Sequence, residues 1–381
     1  MLTRLTLKNF KSARHLSIPL ANLTVLSGLN GSGKSTALQA LALVRQSLQY
    51  SVTGLQNLVL RDNLVQLGLV EDVLSDQAKE NYVVIGVSST CGEVELKAEG
   101  PPGADVMSIE DAPSLLPQVL RHLKFRSFQF LQADRLTPRT HYDRSDSVSR
   151  SSGFLGTRGE LTPDFLAECG DRLEVSEPRR CPMNVSGMPD GLLERIVATP
   201  KLYAQVSGWL QQMSPGVRLE AGRLSATDLV ALRYSYASTT VGYAEVPRRP
   251  SNVGFGLTYC LPIVVACLSA PRDALLLLEN PEAHLHPRGQ AALGSLLARC
   301  AQDGVQIIVE THSDHVLNGI RLAVRNEVAK ADAVRFSHFT RDAISGDTYI
   351  EQPALLPNGE LSAWPTGFFD EWEKSLEALL S

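Results

Sequence analysis

The stretch Leu23 to Thr36 constrains this chain more than any other. Leu23 to Leu26 reads as a buried strand, which breaks at Gly28, Gly31 and Gly33. A helical pattern follows at once, with Leu38, Leu41, Ala42 and Val44 at roughly helix spacing. Gly28 to Ser35 fills every fixed position of G-x-x-x-x-G-K-S. Strand, glycine-rich loop and helix in that order are the context that identifies a P-loop.

Each residue type has a physical reason. A polyphosphate needs several inward-pointing donors, and glycine lets backbone N–H groups converge with no Cβ in the way. The helix start adds free N–H groups and a positive dipole end. Asn30, Gly31, Ser32, Gly33 and Thr36 are therefore expected around the phosphates, with Lys34 on the outer ones and the Ser35 hydroxyl on Mg²⁺. ATP with Mg²⁺ is the expected cofactor pair.

Composition bounds the rest. The 381 residues can bury a large core in more than one lobe. With 44% hydrophobic and 20% charged residues, the chain looks like an ordinary soluble globular protein. A net charge of -5 argues against an overall basic nucleic-acid footprint. The six cysteines form no C-x-x-C pair and suit a reducing cytoplasm. The N-terminus lacks a signal-peptide core, and the most apolar stretch, Leu261 to Ala270, is too short to span a bilayer. A cytoplasmic protein with no membrane partner is expected.

Along the chain, alternation predicts strands at Leu2 to Phe10, Leu16 to Leu20, Tyr82 to Ser88 and Glu93 to Ala98, the last two as a hairpin. Pro19 marks an edge strand or a strand end. Leu58 to Leu74 reads as loop and short helix. Arg126 to Leu131 reads as a strand ending in Gln132, Ala133, Asp134 and Arg135, and ligands bind at such ends. Pro138 to Arg158, rich in Ser, Arg and Gly, reads as a loop. Helices are expected at Gly191 to Val197 and Leu202 to Met213, strands at Ser225 to Tyr236 and Tyr243 to Pro247.

A second group of residues completes the chemistry. Leu275 to Leu278 is an apolar run ending in Glu279, as expected of a strand whose acid holds Mg²⁺ beside a P-loop. Asn280-Pro281-Glu282-Ala283-His284-Leu285-His286-Pro287 follows. His284 and His286 have the spacing of a metal pair, but no further ligands accompany them. Val305 to Val309 predicts another strand, leading to Glu310-Thr311-His312-Ser313, where His312 is placed to reach the γ-phosphate.

These motifs, with Asn9-Phe10-Lys11-Ser12 near the start, resemble the ABC-class ATPase heads of the RecF, SMC and OLD families. More narrowly, Gln132 to Arg139, Asn252 to Gly256 and the tail Trp364 to Glu371 are similar to a bacterial AAA/ABC-type ATPase family with a short C-terminal domain of unknown function. The resemblance implies an α/β P-loop NTPase head, a mixed sheet core with a helical lobe and no coiled-coil arm. It divides the chain into residues 1–136 (N-terminal half of the ATPase lobe), 137–250 (inserted loop and helical lobe), 251–333 (signature-like loop and second half of the core) and 334–381 (a small β-segment capped by a helix).

The same resemblance implies that two protomers close over two nucleotides. Lys11 and Ser12 join the nucleotide-binding set. Ser251, Asn252, Gly254 and Gly256 stand in the signature loop that would reach the nucleotide of the other copy. Gln132 takes the Q-loop position, a further metal contact; His286 matches the D-loop acid and His312 the switch histidine. Two departures stand out. The signature reads Ser-Asn-Val-Gly-Phe-Gly, and Asn280 sits where such heads carry the water-activating glutamate. An amide positions water but accepts no proton. Slow hydrolysis follows, with Glu282 as the nearest alternative base beside Lys34, Glu279 and His312. The resemblance further implies an ATPase subunit of an anti-phage defence system that senses or controls a separate nuclease or toxin. The rival expectation is a RecF-like DNA-binding repair protein, with Arg121, Lys124, Arg126, Arg135, Arg139, Arg144 and Arg150 facing DNA.

Overall fold

The structure is a computed structural model, and it describes all residues except 53, 77, 113–114, 146–152, 183–197, 237–245, 366, 369–370 and 381. In chain order the elements begin with β1 (Leu2–Phe10), β2 (Ala13–Pro19), β3 (Leu23–Gly28) and α1 (Lys34–Ser47). Next come β4 (Asn57–Val59), α2 (Val70–Val73), β5 (Tyr82–Ser89), β6 (Gly92–Glu99), β7 (Val106–Ile109), α3 (Gln118–Phe125) and β8 (Phe128–Leu131). The middle of the chain supplies β9 (Tyr142–Asp143), α4 (Thr162–Cys169), α5 (Leu202–Met213), β10 (Val217–Arg223), β11 (Leu229–Tyr236) and α6 (Phe255–Ser269). The remainder is β12 (Leu275–Glu279), α7 (Pro287–Gln302), β13 (Gln306–Glu310), α8 (Asp314–Arg325), β14 (Val334–Arg341), β15 (Thr348–Glu351) and α9 (Glu371–Leu380).

The P-loop strand β3 lies inside a six-stranded sheet of order β15-β14-β3-β13-β12-β8. All neighbours are parallel except the β14–β15 hairpin. Strands of such a sheet are buried on both faces, which is why β12 is four leucines before its acid. Alternation sorts those leucines. Leu276 and Leu278, with Val25, Ile307 and Val309, face a core built with α5, α6, α7 and α8. Leu275 and Leu277, with Leu26 and Ile308, face a second core shared with α1 and a six-stranded antiparallel sheet of order β2-β1-β5-β6-β7-β4. A third sheet, β10-β11-β9, joins the helical side.

Several expectations shift in detail. Arg126 to Leu131 contributes a strand only from Phe128, because the Arg126 guanidinium turns inward onto the Asp273 and Ala274 carbonyls and Gln306. Pro138 to Arg158 includes β9, which pairs with β11. The 191–197 helix lies outside the described residues, as do 243–245 of the strand expected at Tyr243 to Pro247. Beside them, Arg248 bridges Tyr234. Leu261 to Ala270 is largely α6, an apolar helix buried in the core. Among the described residues, no helix is long and apolar enough to cross a membrane. Residues 334–381 supply β14 and β15 to the sheet that holds the P-loop strand, and Thr348 donates to the Ser32 carbonyl, 3.0 Å away.

Candidate nucleotide site

The P-loop adopts the backbone its glycines permit. Gly28, Gly31 and Gly33 have φ of 134°, 76° and 99°. A Cβ at Gly28 would collide with the Phe339 carbonyl oxygen, and one at Gly33 with Ser12 Oγ. Helix α1 begins at Lys34 with Gly33 as its N-cap and no side chain capping it, so its first N–H groups remain available to an anion. Lys34 is buried. Its Nζ donates to the carbonyls of Gly28 (2.9 Å) and Leu29 (2.7 Å) and lies 3.8 Å from Glu310 Oε1. Burial lowers its pKa and Glu310 opposes that shift.

Parallel pairing of β12 and β13 sets Glu279 and Glu310 side by side. Glu279 Oε2 accepts from the Ala133 N–H at 2.9 Å, at the end of β8. Burial raises the Glu279 pKa, the Ala133 bond works against it, and the neighbouring Glu310 adds to the rise. The loop after β12 folds back, so that Glu282 Oε1 accepts the His312 N–H at 2.8 Å. Burial lowers the pKa of His312, as does Lys34 nearby, which keeps the ring neutral near pH 7. Lys34, Glu310, Glu282 and His312 thus meet at the carboxyl ends of β3, β12 and β13.

This group fits a Mg²⁺-bound triphosphate. Four buried oxygens, Ser12 Oγ, Ser32 Oγ, Glu282 Oε2 and Glu310 Oε2, have no hydrogen-bond partner among the described residues. Such atoms are costly unless something satisfies them. Carboxylate and hydroxyl oxygens are the donors a hard divalent cation takes, and Ser35 and Glu279 would hold it. Gln132 has committed its Nε2 to the Leu64 carbonyl at 2.9 Å, leaving its Oε1 as the atom able to contact a metal. Lys11 reaches Gln39 at 2.7 Å on α1.

Other predicted residues sit elsewhere. Ser251, Asn252 and Gly254 are exposed at the start of α6 and, among the described residues, make no hydrogen bond to the P-loop. Gly256 is buried, its Cα pressed against the His284 carbonyl. His284 packs its ring on Phe255 and Tyr259, and no cluster of three metal-ligating side chains occurs among the described residues. His286 is the N-cap of α7, its Nδ1 accepting from the Arg288 N–H. Asn280 takes a left-handed φ of 42°, and its N–H donates to the Glu310 carbonyl at 2.9 Å.

Three residues of the site were not assigned to it from sequence. Glu310 had a visible signal, an acid directly after an apolar run and two residues before His312, and it lies in register with Glu279. Thr348 had none, being far along the chain. Arg135 was read as part of a DNA-facing surface, and the structure corrects this. Arg135 is 0% exposed and Arg126 is 6% exposed, so neither faces solvent.

The comparisons now bear on this geometry. The family described as "AAA domain, putative AbiEii toxin, Type IV TA system" matches residues 124–318, just over half of the chain. The chain belongs to this AAA-domain family. Residues 1–99 of this AAA-domain ATPase match "AAA ATPase domain", and residues 330–379 match "Protein of unknown function (DUF3696)". No curated protein matches it. Among solved structures, an Smc head bound to the C-winged helix domain of ScpA is 15% identical, with 93% of this chain and 98% of that one covered at a TM-score of 0.53. An Smc head with an extended coiled coil, bound to the C-terminal domain of ScpA derived from Pyrococcus furiosus, is 15% identical (100% and 99% covered, TM-score 0.48). The SMC head domain from Thermotoga maritima is 15% identical (92% and 98% covered, TM-score 0.43). At this identity the likeness establishes the fold alone, and it rests on the first of the three.

Proposed function

We propose that this ATPase is a slow, ATP-driven switch in which two copies close over two nucleotides and the closed pair controls a separate effector protein. One observation carries the reading. The Lys34–Glu310 pair stands beside the Glu282–His312 contact, and the residue after Glu279 is Asn280, an amide that accepts no proton. Lys34 would leave the loop carbonyls for the outer phosphates. Magnesium, when bound, neutralises charge on the transferring phosphoryl group. Glu282 accepts the proton of the attacking water, and neutral His312 orients the γ-phosphate. The exposed start of α6 at Ser251 to Gly254 supports completion of each site by a second copy, with α6 N–H groups offered to the nucleotide.

The Smc head, bound in its crystal to a domain of ScpA, offers a parallel for a separately encoded partner. Anti-phage defence, with a nuclease or toxin as effector, is the setting we assign. Steady-state phosphate release from the purified chain tests the rate. Turnover well above ~1 s⁻¹ without a partner, near ordinary enzyme values, would sink the slow switch. Sedimentation with and without ATP tests the dimer. ATP-dependent, salt-sensitive DNA binding without any co-purifying protein would favour the RecF-like reading instead.

A further inference from the structure

Arg135 is wholly buried, yet its donors go to carbonyls and not to carboxylates. Nε donates to the Tyr259 carbonyl at 3.2 Å, Nη1 to the carbonyls of Gln132 (3.1 Å) and Glu279, and Nη2 to the Asn280 carbonyl at 2.6 Å. Its guanidinium lies 4.7 Å from the centre of the Tyr259 ring. The Tyr259 hydroxyl donates to the Ala133 carbonyl at 2.8 Å and accepts from the Arg135 N–H at 3.3 Å. One planar fork thus gathers the ends of β8 and β12 and the first turns of α6.

We propose that Arg135 is a positioning residue: it fixes the end of β12 so that the Glu279 carboxylate is held where a divalent cation on the nucleotide needs it, and it ties that end to α6. The inference rests on the nucleotide reading above. Asn280, next to Glu279, sits in the left-handed region, a conformation that persists only when its surroundings hold it. Arg135 holds the carbonyls on both sides of that residue's N–Cα bond, those of Glu279 and Asn280. Ala133, whose N–H holds Glu279 Oε2, has its own carbonyl fixed by Tyr259. The β12–β13 ladder thus sets where Glu279 sits, while the carbonyls beyond it and the Ala133 segment that holds its carboxylate are fixed by Arg135 and its ring partner. Lysine carries the charge as a point and cannot span these carbonyls.

The test is titration of wild type, R135M and R135K with a fluorescent ATP analogue, in Mg²⁺ and in EDTA, alongside thermal melts. The wild type should bind more tightly in Mg²⁺. R135M should keep its EDTA affinity and lose about 10-fold or more of the Mg²⁺ gain, the range for residues that orient metal ligands. R135K should fall between. An R135M protein with the wild-type Mg²⁺ gain would overturn the proposal. If R135M does not fold, R135K decides, and an unchanged gain there overturns it equally. Failure of the nucleotide reading looks different: Lys34→Ala would then bind the analogue as well as wild type does.

Discussion

The proposed switch assigns the general base to Glu282, since the Asn280 amide accepts no proton. Glu282→Gln should lower phosphate release by roughly 10²-fold, the usual worth of a general base, while ATP affinity stays within a few fold. Asn280→Ala should change turnover little, since its N–H and carbonyl contacts are made by the backbone. Equal rates for Glu282→Gln and wild type would remove Glu282 from the chemistry. The thiols offer a check on the packing. Burial pushes Cys260 to about 12 and Cys181 to about 11, whereas Cys91 and Cys169 are half-buried. Maleimide at pH 8 should label Cys91 and Cys169 in the native protein, and the other two only after unfolding. The sign for stability follows. A thiol whose folded pKa is raised favours the native state below its unfolded pKa of about 8.5, and that contribution declines as pH climbs toward the folded value. Urea midpoints should therefore drop between about pH 9 and 12. A midpoint that holds steady across that range would show these thiols to be solvated.

Among the elements, α7 and α8 pack backbone against backbone through glycines. A Cβ on Gly294 would strike the Val316 carbonyl, and one on Gly319 the Ala291 carbonyl. Backbone meets backbone there, so neither neighbour can swing aside. Gly319→Ala should cost about 1–3 kcal/mol, the range for overpacking, read as a lower denaturant midpoint. Because α8 starts at Asp314, just past His312, the same change should also weaken nucleotide binding. Elements of this kind were legible where one periodicity ran unbroken. β12, α5 and the β5–β6 hairpin stand close to where alternation or helix spacing puts them. β7, α3 and β10 were missed, since short mixed-polarity segments such as Val106–Ile109 carry too few residues to show a period. The P-loop, Glu279, Glu282 and His312 were legible because motif spacing is local. Arg135 was not, because a sequence shows that an arginine follows a strand but not that four carbonyls converge around it.

The molecule as a whole is closed by its last strands. Thr348→Ala removes the side chain that bridges β15 to the P-loop backbone at Ser32 and should cost about 1 kcal/mol, with a matching loss in ATP affinity. Truncation after Ala333 removes β14 and β15 and lays bare one edge of β3, and such a chain should be recovered as aggregate. A soluble, ATP-binding truncation would show the tail to be dispensable.

That arrangement also sets a timetable. β3, made at residues 23–28, has β13 (306–310) and β14 (334–341) as its two sheet neighbours. A ribosome has to deliver the chain past Gln306 before the P-loop strand acquires either one, and such distant pairings form slowly. An emerging chain therefore cannot hold ATP through this loop, and retention on an ATP resin should separate finished molecules from stalled ones.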